Sequence, residues 1–243
     1  MDKLIYDNLI ISVREFMVLS ALCGISRVDL PIKGKQEAPD QKDVNLVLFQ
    51  LYQKQILVME EPNEYRLNPE IQKLFAEIKD AGYLIQVYGV DKHNSLLLFS
   101  SQEIITAELS DNDRDAVKLR FVSRNRLSEE LYSQKLLPLE KETKEEKFLK
   151  KEIAVLHDKL QKDRAQFIKN NHIDHEALME YAEANGIRSF FIIKDRQSDI
   201  EKVLILLIDC GVWDCIARFE GECLETRYYT QKLIEEFLLL RNV

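Results

Sequence analysis

The chain can be laid over itself. Shifted by about 106 residues, it matches element on element over roughly a hundred residues per half, although few residues are identical. Leu84 falls on Phe190, Val117 on Cys223, Leu127 on Leu233 and Leu131 on Phe237, and Leu96 comes within one position of Val203. Leu-Phe-Ala-Glu at 74–77 lies against Glu-Tyr-Ala-Glu at 180–183, each ahead of a glycine, Gly82 or Gly186. The period is too long for a solenoid, so it predicts a duplication with a pseudo-twofold, one half at 1–138 and the other at 139–243.

Each half reads as α+β, an antiparallel sheet flanked by helices. In the N-terminal part, 12–81, Ser12 and Glu15 form a capping box before an apolar stripe that Gly24 stops. Asp40 opens a second helix with Val44, Val47, Leu48, Leu51 and Tyr52 at helical spacing. Ile56–Met59 and Tyr65–Leu67 flank a Glu61-Pro62-Asn63-Glu64 turn, a hairpin signal, and Pro69 suits the first turn of a third helix. Helix, helix, hairpin, helix is winged-helix-like. Across 83–137 the period becomes that of strands, at Tyr83–Val90, Leu96–Ser100, Glu103–Leu109 and Ala116–Val122, before a helix carrying Leu127, Leu131, Leu136 and Leu137. A charged helical hairpin fills 140–186. Strands at Ile187–Lys194, Val203–Ile208, Trp213–Phe219 and Cys223–Tyr229 and a last amphipathic helix fill 187–241. Leu96–Phe99 and Val203–Ile208 lack polar alternation, which implies strands covered on both faces.

Composition excludes several functions. Seven glycines and five prolines are too few for phosphate-cradling loops, and no GxGxxG, Walker or nucleophile-elbow pattern occurs, so neither an enzyme nor a cofactor is expected. Cys23, Cys210, Cys215 and Cys223 stand singly and read as buried free thiols of a reducing compartment. Acids interrupt the N-terminus and the longest aliphatic run, Val203–Ile208, is short, so a cytoplasmic chain with no membrane contact is expected. His172-x-x-His175 could offer two imidazoles to a metal, but Asp174 looks like an N-cap, which puts His172 before the helix, and no metal site is expected.

The winged-helix order makes DNA the rival partner. Charge argues against it: the whole chain carries −8, and 40–68 hold three cations (Lys42, Lys54, Arg66) against five acids (Asp40, Asp43, Glu60, Glu61, Glu64). A protein partner is expected instead. The partner surface is expected on the central sheet and on the segment 148–184, the least symmetric part of the repeat, with the seam Phe148, Leu149, Ile153, Leu156 and Leu160 as the candidate contact. The alternative is that this seam packs wholly inside its own bundle.

Arg14-Glu-Phe-Met-Val-Leu-Ser-Ala-Leu-Cys-Gly-Ile with Leu30-Pro31, the hairpin around Pro62, Asn68-Pro69-Glu70-Ile71 and Arg218-Phe-Glu-Gly-Glu-Cys-Leu-Glu-Thr occur in this order. With that element order the chain resembles the EspG-like family of type VII secretion chaperones over nearly its whole length. The resemblance implies a non-enzymatic adaptor that keeps the apolar tip of an exported helical protein from aggregating. The Lys/Glu-rich helix at 140–170 departs from the family. A transcriptional regulator whose sheet senses a ligand or partner is the other reading.

Overall fold

Strand β1 (Leu9–Ser12) runs directly into helix α1 (Val13–Leu22), and Ser12 serves both. Its hydroxyl accepts from the Glu15 amide at 3.1 Å while the Glu15 carboxylate accepts from the Ser12 amide at 2.6 Å, so the expected capping box forms. The computed structural model describes residues 8–25, 41–61, 64–89, 95–100, 104–110, 113–141, 146–170, 172–198 and 200–238. Leu30-Pro31, the loop 33–38, Asp40, the Pro62-Asn63 turn and Leu240 lie outside them. Contacts group the chain into two compact units, Met1–Gly82 with Leu96–Phe121, and Tyr83–Ser95 with Val122–Val243. That grouping follows contacts, whereas the boundary at 138/139 follows the repeat.

The first unit continues through helix α2 (Gln41–Gln53), the hairpin β2 (Leu57–Glu61) and β3 (Glu64–Leu67), and helix α3 (Pro69–Asp80). Asn68 caps α3 by accepting from the Glu70 amide at 3.0 Å, with Pro69 in the first turn where its missing N–H costs nothing. Phe16, Leu51, Leu57 and Phe75 are buried in this unit, with the Phe16 and Phe75 rings 5.5 Å apart. The sheet of this unit orders β1, β7 (Asp113–Val122), β6 (Ile104–Ser110) and β5 (Ser95–Ser100). Strand β1 pairs β7 antiparallel with Ile11 opposite Val117, an edge pairing that four residues without a clear period did not announce.

The second unit orders β4 (Tyr83–Gly89), β10 (Ile187–Asp195), β11 (Glu201–Asp209), β12 (Asp214–Glu220) and β13 (Cys223–Tyr228), all antiparallel. Val203 through Ile208 on β11 are all buried, as a strand without polar alternation requires. The side chains of Leu96–Phe99 lie outside the described residues. Helix α4 (Leu127–Ser133) stops earlier than expected. Lys135 turns left-handed at φ 58, and Leu136 and Leu137 are buried on a strap rather than on the helix.

The charged helix is α5 (Glu146–Asp163), which ends in a short 3-10 turn and the small hairpin β8 (Ile168–Lys169) and β9 (His172–Ile173). Helix α6 (His175–Ala184) follows, capped by Asp174, which accepts from the Ala177 amide at 3.1 Å, and α7 (Gln231–Leu238) closes the described chain. The segment expected to be least symmetric therefore carries helix, hairpin, helix, the order of α2, β2–β3 and α3. Cys215 is buried, but Cys223 is exposed, because it opens β13 beside the Gly221 turn.

Candidate functional site

Helix α5 packs on β13. Leu160 is buried in the core of the second unit with Phe167, Leu178, Phe190, Leu204 and Phe219, while Leu149, Ile153 and Leu156 are half-buried against the same cluster. The Phe148 side chain lies outside the described residues. Polar contacts fix the C-terminal end of the helix. His157 Nδ1 hydrogen-bonds Thr226 Oγ1 at 3.0 Å, and Arg164 pairs Glu222 at 3.0 Å. Asp163 stands where the next seam residue belongs because the Tyr181 hydroxyl donates to it at 2.9 Å. Burial first, and this carboxylate second, push the Tyr181 phenol above its ordinary pKa.

The two histidines converge on a residue that no local pattern marked. The Glu201 carboxylate is 3% exposed and accepts from His175 Nε2 at 2.8 Å and from the Ile173 amide at 2.9 Å. Lys194 stands 3.2 Å away and His172 Nδ1 3.5 Å away. Burial alone would raise its pKa, but the His175 and Ile173 hydrogen bonds and the Lys194 charge outweigh it and hold the group at about 2. Glu201 thus pins β9 and the start of α6 to the sheet. Among the described residues no group of three His, Cys, Asp or Glu is placed to hold a metal ion.

A second ionic cluster anchors the strap 134–141. Lys141 Nζ donates to Asp209 and Asp214, each at 2.9 Å, and to the Gly211 carbonyl at 2.7 Å. Arg188 pairs the other side of Asp209. Burial lowers the Lys141 pKa, but its two carboxylate partners raise it further, so the net shift is upward. Burial, with Asp214 and Asp209 adding to it, pushes the nearby Cys210 thiol up to about 11, which keeps it protonated and unreactive. The Ser189 hydroxyl donates to the Leu136 carbonyl at 2.6 Å, and the strap, Gly89 and Arg188 enclose a cleft of about 480 Å³. Leu139 on its rim is 79% exposed.

The hairpin that would be a DNA wing carries Glu60, Glu61 and Glu64 against Arg66, and Arg66 is paired with Glu60 at 2.9 Å. Among the described residues no helix is long and apolar enough to cross a membrane.

No family model matches the sequence, and no curated protein matches it. Among solved structures the chain is similar to the type VII secretion system chaperone EspG5 of Mycobacterium tuberculosis, determined in complex with a PE25–PPE41 dimer. The two share 11% identity at a TM-score of 0.55, over 94% of this chain and 93% of that one. The likeness is one of fold, and it runs through both halves.

Proposed function

We propose that this chain is a non-enzymatic chaperone or adaptor of the cytoplasm that holds a helical protein partner, a type VII secretion substrate in the reading that the EspG-like resemblance supplies. One observation carries it: the fold matches EspG5 nearly end to end, and EspG5 was determined holding a protein dimer. The partner is assigned to the N-terminal half of α5, at Phe148, Leu149 and Ile153. There the described seam residues remain half-buried, while Leu160 at the other end is core. The regulator reading is disfavoured by the acidic hairpin, which phosphate would repel.

The test is affinity purification from the native host with mass spectrometry of what co-purifies, followed by co-expression of the recovered protein with and without this chain. The reading expects a helical protein that stays soluble only with the chain present. Recovery of nucleic acid alone, or of a partner whose solubility ignores the chain, would sink it.

A further inference from the structure

Strand β13 ends the strand order of the second unit, and only one of its edges is taken. The Tyr229 amide donates to the Asp214 carbonyl at 2.9 Å, and the pairing with β12 runs on without a bulge to Glu220 opposite Cys223. Backbone groups of an antiparallel strand alternate in direction. Cys223, Glu225 and Arg227 therefore bond β12, while Leu224, Thr226 and Tyr228 turn their N–H and C=O groups outward. Among the described residues none of these outward groups is hydrogen-bonded. Helix α5 meets the strand through side chains, His157 to Thr226 at 3.0 Å, and takes none of them.

The first unit supplies a comparison. Strand β7 is the last of four strands there, as β13 is here, and its outer edge is paired by β1, with Ile11 opposite Val117. No described strand stands in that place beside β13. An edge left open without proline or bulge is a template for another strand.

The side chains select which strand. Glu225 and Arg227 share one face of β13, 35% and 60% exposed, and pair with each other. Leu224 and Tyr228 share the other face, against the core. When a second β13 is laid antiparallel on this edge with Thr226 opposite Thr226, Leu224 falls opposite Tyr228 of the second copy. Every outward backbone group then has a partner. Glu225 falls opposite Arg227 of the second copy, and Arg227 opposite its Glu225. These are non-hydrogen-bonded positions, where side chains come closest and opposite charges directly across stabilise the pair. The neighbouring registers, centred on Glu225 or on Arg227, put like charges face to face. The strand is complementary to itself in one register.

We propose that β13 pairs with β13 of a second copy, antiparallel about Thr226, and joins two chains edge to edge. The contact is one short strand on each side, so the dimer forms reversibly with concentration. The proposal goes beyond the adaptor reading and does not rest on it.

Analytical ultracentrifugation of the full chain, from micromolar to submillimolar concentration, should show a monomer–dimer equilibrium. Glu225→Arg alone, or Arg227→Glu alone, should weaken the dimer about tenfold, since both cross-strand pairs become like-charged. Mixing the two variants should restore it, because each arginine then meets a glutamate. The double exchange in one chain should restore it too. Thr226→Pro should abolish association and leave unfolding cooperative, since the Thr226 N–H points away from β12 and an edge strand tolerates proline there. Thr226→Val removes only the hydroxyl that meets His157, and should leave the dimer intact. A chain that is monomeric at every concentration would overturn the proposal. So would a dimer that survives Thr226→Pro, or one whose charge variants do not recombine on mixing.

Discussion

Gln55 and Lys135 hold left-handed backbone at φ 60 and 58, where glycine is the usual occupant. Each closes a helix in the same way as Gly24 does. The left-handed residue donates to the carbonyl three back, and its successor donates to the carbonyl five back. Where glycine is missing, the second bond joins two buried apolar residues, Ile56 to Leu51 and Leu136 to Leu131; after Gly24 it joins Ile25 to Ser20. Relief of left-handed strain against the entropy of glycine predicts that Gln55→Gly and Lys135→Gly each add about 0.5–1 kcal/mol. Gly24→Ala should remove about 1 kcal/mol, all three read by urea denaturation. Glu201 makes the second residue-scale prediction. Its folded pKa, about 2, lies below the ordinary carboxylate value, so its contribution is fully present above that value and fades as pH falls toward 2. The shift corresponds to something on the order of 3 kcal/mol. Glu201→Gln should therefore be less stable at neutral pH and lose less stability on acidification. Parallel acid-unfolding curves for the two proteins would contradict this.

Along α5 the burial is graded, from half-buried Leu149 to buried Leu160. Leu160→Ala should cost about 2–5 kcal/mol, the price of a cavity in a packed core. Leu149→Ala should cost well under that and, under the proposed function, weaken capture of the proposed partner instead. Thermal unfolding and pull-down on both variants separate the roles, and equal large destabilisation would make the whole seam core. What was legible here was local. Ser12, Asn68 and Asp174 announce helix starts because a cap acts within three residues, and the unbroken run Val203–Ile208 announces a doubly covered strand. What was not legible was either too short or too distant. Strands β8 and β9 have two residues each, so no period can show. Glu201 meets His175 and Ile173 only after the chain has turned back through β10. The end of α4 hid because Lys135 is not glycine, and the apolar run through Leu137 looked helical. The seam itself was visible, but its period is the same whether a helix packs on its own sheet or on a stranger.

At the scale of the whole molecule, the proposed duplication reaches further than the strands that suggested it. Helices α3 and α6 begin at Pro69 and His175, each behind a capping side chain, Asn68 and Asp174, and each behind a hairpin. Four strands then begin at Tyr83, Ser95, Ile104 and Asp113 in one half, and at Ile187, Glu201, Asp214 and Cys223 in the other. A helix closes both, at Leu127 and Gln231. Under the proposed duplication, the agreement that survives at inward positions such as Leu84 and Phe190 or Leu127 and Leu233 is what selection on packing would leave behind. The exposed faces of two helices differ: α5 presents Asp158 and Gln161 to solvent, and α2 presents Phe49 and Tyr52. The prediction is that 83–137 and 187–241 superpose strand for strand in an experimentally determined structure, and that the same element order extends back through α2 and α5. Register is the strict criterion, since a one-residue slip would turn every inward side chain outward. Leu84 must meet Phe190 and Leu127 must meet Leu233 within one position. A different strand order in the two segments, or a register that puts these pairs on opposite faces, would show that the repeat is coincidence.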